Sequence, residues 1–274
     1  MKYERKMELV RTLAGYLADE AKSHGAWTPA DITRTLSNPN ADFESLWLAF
    51  RALVNVRPPW PASADFLVAQ DELLEGLIEE AGVATVADAE RSPLDSRLRL
   101  WRGDITTLGT DAIVNAANSG MTGCWQPLHY CIDNAIHTYA GIQLRAEMHS
   151  IMEAQGHEEP TGHAKITSAY NLPSKHIIHT VGPIANGRPN DTHRRQLAQS
   201  YRACLDTAHA HDCLSLAFCC ISTGVFGFPQ DEAASIAVGV VRDWFQEHPQ
   251  SSLIVVFNVF GETDEVLYRR LLEL

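Results

Sequence analysis

Apolar residues near the start of the chain recur at offsets of three and four. Phe43, Leu46, Trp47, Phe50, Leu53 and Val54 form one such stripe, and Phe66, Leu67, Leu73, Leu74, Leu77 and Ile78 form a second. That period predicts two helices, each burying one face. Between them runs Arg57-Pro58-Pro59-Trp60-Pro61, whose prolines break a helical hydrogen-bond ladder, so the pattern reads helix, stiff connector, helix. Met1-Lys2-Tyr3-Glu4-Arg5 leads into another amphipathic helix, Gly82 predicts the end of the second striped helix, and the polar stretch from Ala87 to Ser96 predicts a boundary.

Beyond about residue 97 the pattern changes to short β-branched and aliphatic runs alternating with helical periods. Strands are predicted at Leu98 to Trp101, Ala112 to Asn115, His176 to Thr180, Leu216 to Ser222 and Leu253 to Val259. Helices are predicted at Asp133 to Ala154, Arg194 to His211, Asp231 to His248 and Thr263 to Glu273. This alternation predicts an α/β domain with a mixed sheet over residues 93–274, preceded by an all-helical N-terminal extension over residues 1–92.

Composition narrows the function classes. A chain of 274 residues with 45% apolar content supports a globular core. The formal charge of −12 repels a polyphosphate backbone, which argues against nucleic acid as a partner. A small anion remains allowed, because backbone N–H groups in a glycine-rich loop hold phosphate without net positive charge. No apolar run reaches the ~18 residues of a membrane helix, and the first residues do not read as a signal peptide, so a cytoplasmic location without membrane association is expected. The six cysteines all fall between Cys124 and Cys220, without the dense spacing of a disulfide scaffold, and read as reduced thiols. Cys219 and Cys220 lie in an apolar run and read as core.

Three segments follow strand-like runs, where ligands of α/β sheets collect. They are Gly103-Asp104-Ile105-Thr106, Asn115-Ala116-Ala117-Asn118 and Ser222-Thr223-Gly224-Val225-Phe226-Gly227-Phe228-Pro229. With Thr161-Gly162-His163-Ala164-Lys165-Ile166-Thr167, His179-Thr180-Val181-Gly182-Pro183 and Val255-Val256-Phe257-Asn258-Val259-Phe260, in this order, the chain resembles the macrodomain family over roughly residues 97–274. The resemblance implies a three-layer α/β/α fold and a cleft for ADP-ribose. It implies that Asp104, with the backbone of Ile105, receives adenine, and an ionised carboxylate is a suitable acceptor for the exocyclic amine. On its own, Asp104 reads rather as a turn residue after a strand. Gly224 and Gly227 let the main chain approach the diphosphate, in a loop that also includes Ser222, Thr223 and Val225. Phe226 and Phe260 are candidates for the distal ribose and the adenine, although either also suits a core.

Gly123-Cys124-Trp125-Gln126-Pro127-Leu128-His129-Tyr130-Cys131-Ile132-Asp133 stands where ordinary macrodomains carry a run of glycines. The Cys-x4-His-x-Cys departure resembles the zinc-dependent subgroup of the family, which also has a helical extension in front. His129 and Cys131 point the same way from an extended segment, and Pro127 favours a bend returning Cys124 toward them. Two thiolates and an imidazole leave a fourth tetrahedral position open for Zn2+, as catalytic sites do. Spacing alone leaves a chance grouping as open as a metal site. Asp133 begins a helix, where the exposed N–H groups favour its ionised form. The resemblance implies that Asp133 orients or deprotonates an attacking water and that Asn118 holds a ribose hydroxyl, against a plain helix-start acid.

The expected function is hydrolysis of mono-ADP-ribose from protein side chains, most plausibly esters of Asp or Glu. The family's association with sirtuin-type ADP-ribosyltransferases and lipoyl-carrier proteins suggests a modified partner. Two alternatives stay open: a non-catalytic ADP-ribose reader whose metal site is structural, and a hydrolase of free ADP-ribose derivatives.

Overall fold

The computed structural model describes residues 1–26 and 29–274. Four helices come first: α1 (Tyr3–Ser23), α2 (Ala30–Ser37), α3 (Phe43–Val56) and α4 (Ala64–Ala81). The two predicted stripes meet in one core, where Leu46, Phe50 and Leu53 of α3 and Phe66, Leu73 and Leu74 of α4 join Leu9, Leu13 and Leu17 of α1. Asp42 and Ser63 cap the helix starts by accepting from Ser45 N and Phe66 N, contacts worth about 1 kcal/mol each. Gly82, at φ +87°, ends α4 as expected. The proline connector is pinned by Arg57, whose guanidinium donates to both oxygens of Glu20 at 2.6 and 2.8 Å. Helix α2 escaped the pattern because it buries a single residue, Ile32.

The rest is an α/β/α domain on a seven-stranded mixed sheet. Its order is β2 (Glu90–Arg91), β3 (Leu98–Arg102), β9 (Ile254–Val259), β8 (Ser215–Phe218), β5 (Ala112–Ala117), β7 (His176–Val181) and β6 (Ala164–Ser168). The five inner strands run parallel, and both edges, β2 and β6, pair antiparallel. A separate parallel pair joins β1 (Ala84–Thr85) to β4 (Leu108–Gly109). Helices α7 (Asp191–Ala210), α8 (Gln230–Glu247) and α9 (Glu262–Leu272) pack side by side on one face, with α5 (Ile132–Ala140) and α6 (Ile142–Gln155) on the other. Trp244 and Phe218 are fully buried between layers. Among the described residues, no helix is long and apolar enough to cross a membrane.

Three differences from the sequence reading have physical causes. The single helix expected from Asp133 to Ala154 is two, broken at Gly141, whose φ of +100° lies in the left-handed region. The break brings Ile142 N to the Gln70 side-chain oxygen at 3.1 Å, fastening the domain to α4. The strand expected to reach Ser222 ends at Phe218, and the chain then peels off the sheet to a turn at Ser222 with φ +67°. The edge strands were missed because β2 is two exposed residues long and β6 is mostly half-buried, so neither shows an apolar run.

Bundle and domain share packed side chains. Ile78 of α4 belongs to the sheet core, Ile142 of α6 to the bundle core, and Tyr139 of α5 packs against both.

Candidate active site

Parallel strands all end on the same edge of the sheet, and beyond that edge lies a cleft of about 390 Å³. A cleft of that size falls within the range that holds a small ligand. The end of β5 contributes Ala116, Ala117 and Asn118, the chain after β8 contributes Cys219 and Cys220, and the end of β9 contributes Asn258 and Phe260.

One wall is Ser222 to Phe226. Main-chain bonds hold it: Phe226 O accepts from Ala185 N and Asn186 N at 2.8 and 3.0 Å, Gly227 O from Gly187 N at 2.7 Å, and Ser222 O from Phe228 N at 2.9 Å. Gly227 sits at φ +63°, where a side chain would be strained. Gly182 must lack a Cβ, since one built there would lie 2.1 Å from the Ser222 hydroxyl. Gly224 and Val225 are exposed at the tip, where their backbone is free to meet a ligand.

The opposite wall runs from Asn118 to Cys131 and carries left-handed turns at Met121, Gly123 and Leu128. Side chains fix it. Asn118 Nδ2 donates to Gly123 O at 3.0 Å, Arg145 Nε to Thr122 O at 2.8 Å, and Asn134 Nδ2 to Gln126 O at 3.1 Å. The Arg145 guanidinium also stacks 4.2 Å from the Trp125 ring. The bend brings Cys124, His129 and Cys131 together, with one donor atom from each lying within 4.8 Å of the others. Tyr130, between two of them, points outward and is 95% exposed.

These three residues fit a zinc ion. Tetrahedral coordination with Zn–S of ~2.3 Å and Zn–N of ~2.0–2.1 Å places sulfur and nitrogen about 3.5 Å apart. Cys124 Sγ and His129 Nδ1 are 3.5 Å apart. Burial, with Cys124 and Asp133 nearby, pushes the Cys131 thiol up to about 12 in the bare protein. Coordination to a cation would reverse this, because a metal deprotonates the thiols that it binds. Among the described residues the group has three members, with no fourth Cys, His, Asp or Glu.

Asp133, on the first turn of α5, is 4% exposed and borders the same cleft. Its Oδ1 accepts from Asn115 Nδ2 at 2.8 Å and its Oδ2 from Asn118 Nδ2 at 3.4 Å. Burial pushes the carboxyl up to about 6, opposed by the Asn115 amide and the charge of Arg145. His137 Nε2 lies 3.6 Å from Asp133 Oδ1. That contact is not an ion pair, because burial, reinforced by His179 and Arg145, holds the imidazole neutral. His179 supports the floor, its two ring nitrogens 3.1 Å from Asn115 Nδ2 and 3.0 Å from Thr167 Oγ1. Burial lowers its pKa to about 3, so it too is neutral.

Of the residues expected to form the site, Asn118, Cys124, His129, Cys131, Asp133, Ser222, Thr223, Gly224, Val225, Phe226 and Phe260 line the one cleft. Gly227 supports the loop from behind. Asp104 and Ile105 do not line it: Ile105 is buried, and exposed Asp104 starts a 3-10 turn by accepting from Thr106 N at 2.9 Å. Asn118 spends its amide on Gly123 O, Asp133 and Gly120 N, so it shapes the wall as well as facing the cleft. Tyr130, Gly182, Cys219, Cys220, Asn258 and Asp264 also line the cleft and were not anticipated there. Position just past a strand end marks Gly182, Cys219 and Cys220, whereas Asp264 enters from α9 and carries no such signal.

A mixed sheet whose strand ends frame a ligand-sized cleft defines the class of open α/β ligand-binding domains. The Macro domain family matches residues 114–237. The chain is 50% identical over 273 residues to a protein-ADP-ribose hydrolase of Treponema medium, covering 98% of each chain. It is also similar to the Oceanobacillus iheyensis macrodomain with MES bound (TM-score 0.60, 38% identity), covering 68% of this chain and 94% of that one. The Trypanosoma brucei macrodomain in complex with ADP-ribose aligns with TM-score 0.61 and 28% identity, over 90% of this chain and 97% of its own. The chain belongs to the macrodomain family.

Proposed function

We propose that this protein hydrolyses mono-ADP-ribose from modified protein side chains, with zinc held by Cys124, His129 and Cys131 beside the distal ribose. The observation that carries the reading is the meeting of two thiols and an imidazole on the same cleft as Asp133 and the Ser222–Phe226 loop. The names of its relatives support the substrate class: one is a protein-ADP-ribose hydrolase, and another macrodomain is known in complex with ADP-ribose.

In this reading the diphosphate lies along the backbone of Gly224 to Phe226, whose N–H groups need no net positive charge. Phe260, 77% exposed on the cleft lining, offers a face for adenine. Asn118 and Asp133 then face the distal ribose. Held by Cys124, His129 and Cys131, zinc would supply Lewis-acid chemistry at an oxygen beside the ribose. Asp133, fixed by two amides, orients the attacking water and accepts its proton. Water adds as the bond from ribose to side chain breaks, and an Asp or Glu ester is the favoured linkage because a carboxylate leaves readily. A group of three ligands favours this over a purely structural metal, which closes its fourth position with protein.

Cys131→Ala and Asp133→Ala are each expected to abolish release of ADP-ribose from a modified carrier protein, a sirtuin-modified lipoyl carrier being the first to try, while circular dichroism stays native. Turnover unchanged in both variants defeats the proposal.

A further inference from the structure

Helix α3 is apolar toward its end except for Asn55, which is 1% exposed. A buried amide must find partners, and among the described residues it finds none in its own bundle. Its Oδ1 accepts from Leu128 N at 2.9 Å, and its Nδ2 donates to Thr138 Oγ1 at 3.1 Å. Leu128 lies between Cys124 and His129 and is held at φ +57°, a conformation that costs a branched side chain about 1 kcal/mol or more. Its side chain packs against the bundle core rather than the sheet core. The same helix end is bound a second time. Arg145 Nη1 donates to Val54 O and Arg57 O at 2.9 and 2.8 Å, while its Nε holds Thr122 O in the cysteine loop.

We infer that the helical extension is a built part of the metal site, and that Asn55 is its positioning residue, fixing the left-handed turn at Leu128 that brings His129 back to Cys124. Asn55 touches neither ligand nor substrate and acts only through the loop backbone. The inference rests on the zinc reading above.

The test is the affinity of the full chain for zinc alone, by competition with a chromophoric chelator, alongside thermal unfolding. Asn55→Leu keeps the volume and removes both hydrogen bonds, and is expected to weaken zinc by about tenfold or more, the scale at which residues supporting metal ligands act. Asn55→Asp keeps an acceptor for Leu128 N and is expected to recover most of that loss. Thr138→Val breaks only the other bond of the same amide and is expected to stay within about twofold of wild type. If Asn55→Leu does not fold, Asn55→Ser, too short to reach Leu128, is read in its place with the same expectation. Equal zinc affinity in wild type and the Asn55 variant overturns this inference and leaves the proposed function standing. So does a loss in Thr138→Val as large as in Asn55→Leu, which marks general loosening of the interface. A wild-type chain that binds no zinc overturns both.

Discussion

The two walls of the cleft are tied down in different ways. The Ser222–Gly227 wall is tied by main chain to main chain, through Phe226 O, Gly227 O and Ser222 O. The Asn118–Cys131 wall has main-chain bonds at Asn118 O, Ser119 O and Gln126 O, and is tied besides by the side chains of Asn118, Asn134, Arg145 and Asn55, the last lying 73 positions before the residue it holds. A backbone-tied wall tolerates most side-chain changes and breaks where glycine is required. A side-chain-tied wall breaks from a distance, and it presents specific donor atoms, which a metal site needs and a phosphate cradle does not.

The largest effect is expected at the centre of the second wall. Arg145→Ala removes a donor from Thr122 O, Val54 O and Arg57 O, of which, among the described residues, only Val54 O keeps another, Arg57 N at 3.3 Å. Each orphaned buried acceptor costs about 1–3 kcal/mol, so ~3–5 kcal/mol of stability should be lost in urea unfolding, along with zinc. A loss below about 1 kcal/mol would show that this wall stands without its side-chain ties.

A smaller effect, confined to the other wall, is expected from Gly227→Ala. At φ +63°, with the new Cβ 3.2 Å from Gly187 N, the substitution should cost ~1–2 kcal/mol and weaken ADP-ribose binding in calorimetry. Zinc content should stay at the wild-type level. Loss of zinc in this variant would mean that the walls are one unit and the contrast between them is false.

How far the molecule is legible in sequence follows the same division. Ser222 to Gly227 announces itself because local backbone demands select glycine, and the cysteine loop because soft ligands cluster within a few positions. Inner strands, α1 and the helices from α3 onward follow from apolar periodicity. Gly141 was passed over because the apolar period continues through it, although its φ of +100° breaks the helix. Asn55, Arg145 and Gln70 look like ordinary polar residues on amphipathic helices, and their roles exist only once α3, α4 and α6 are brought together. Asp104 shows the reverse case: its motif is plain in the sequence, yet its carboxylate engages Thr106 N and it stands outside the cleft lining.

The central claim, a zinc ion serving hydrolysis at Cys124, His129 and Cys131, is tested most directly by metal analysis of the purified chain combined with ADP-ribose release before and after chelation. The account predicts one zinc per chain, release that disappears when the metal is stripped, and recovery on returning zinc alone. Full release from metal-free protein would contradict it.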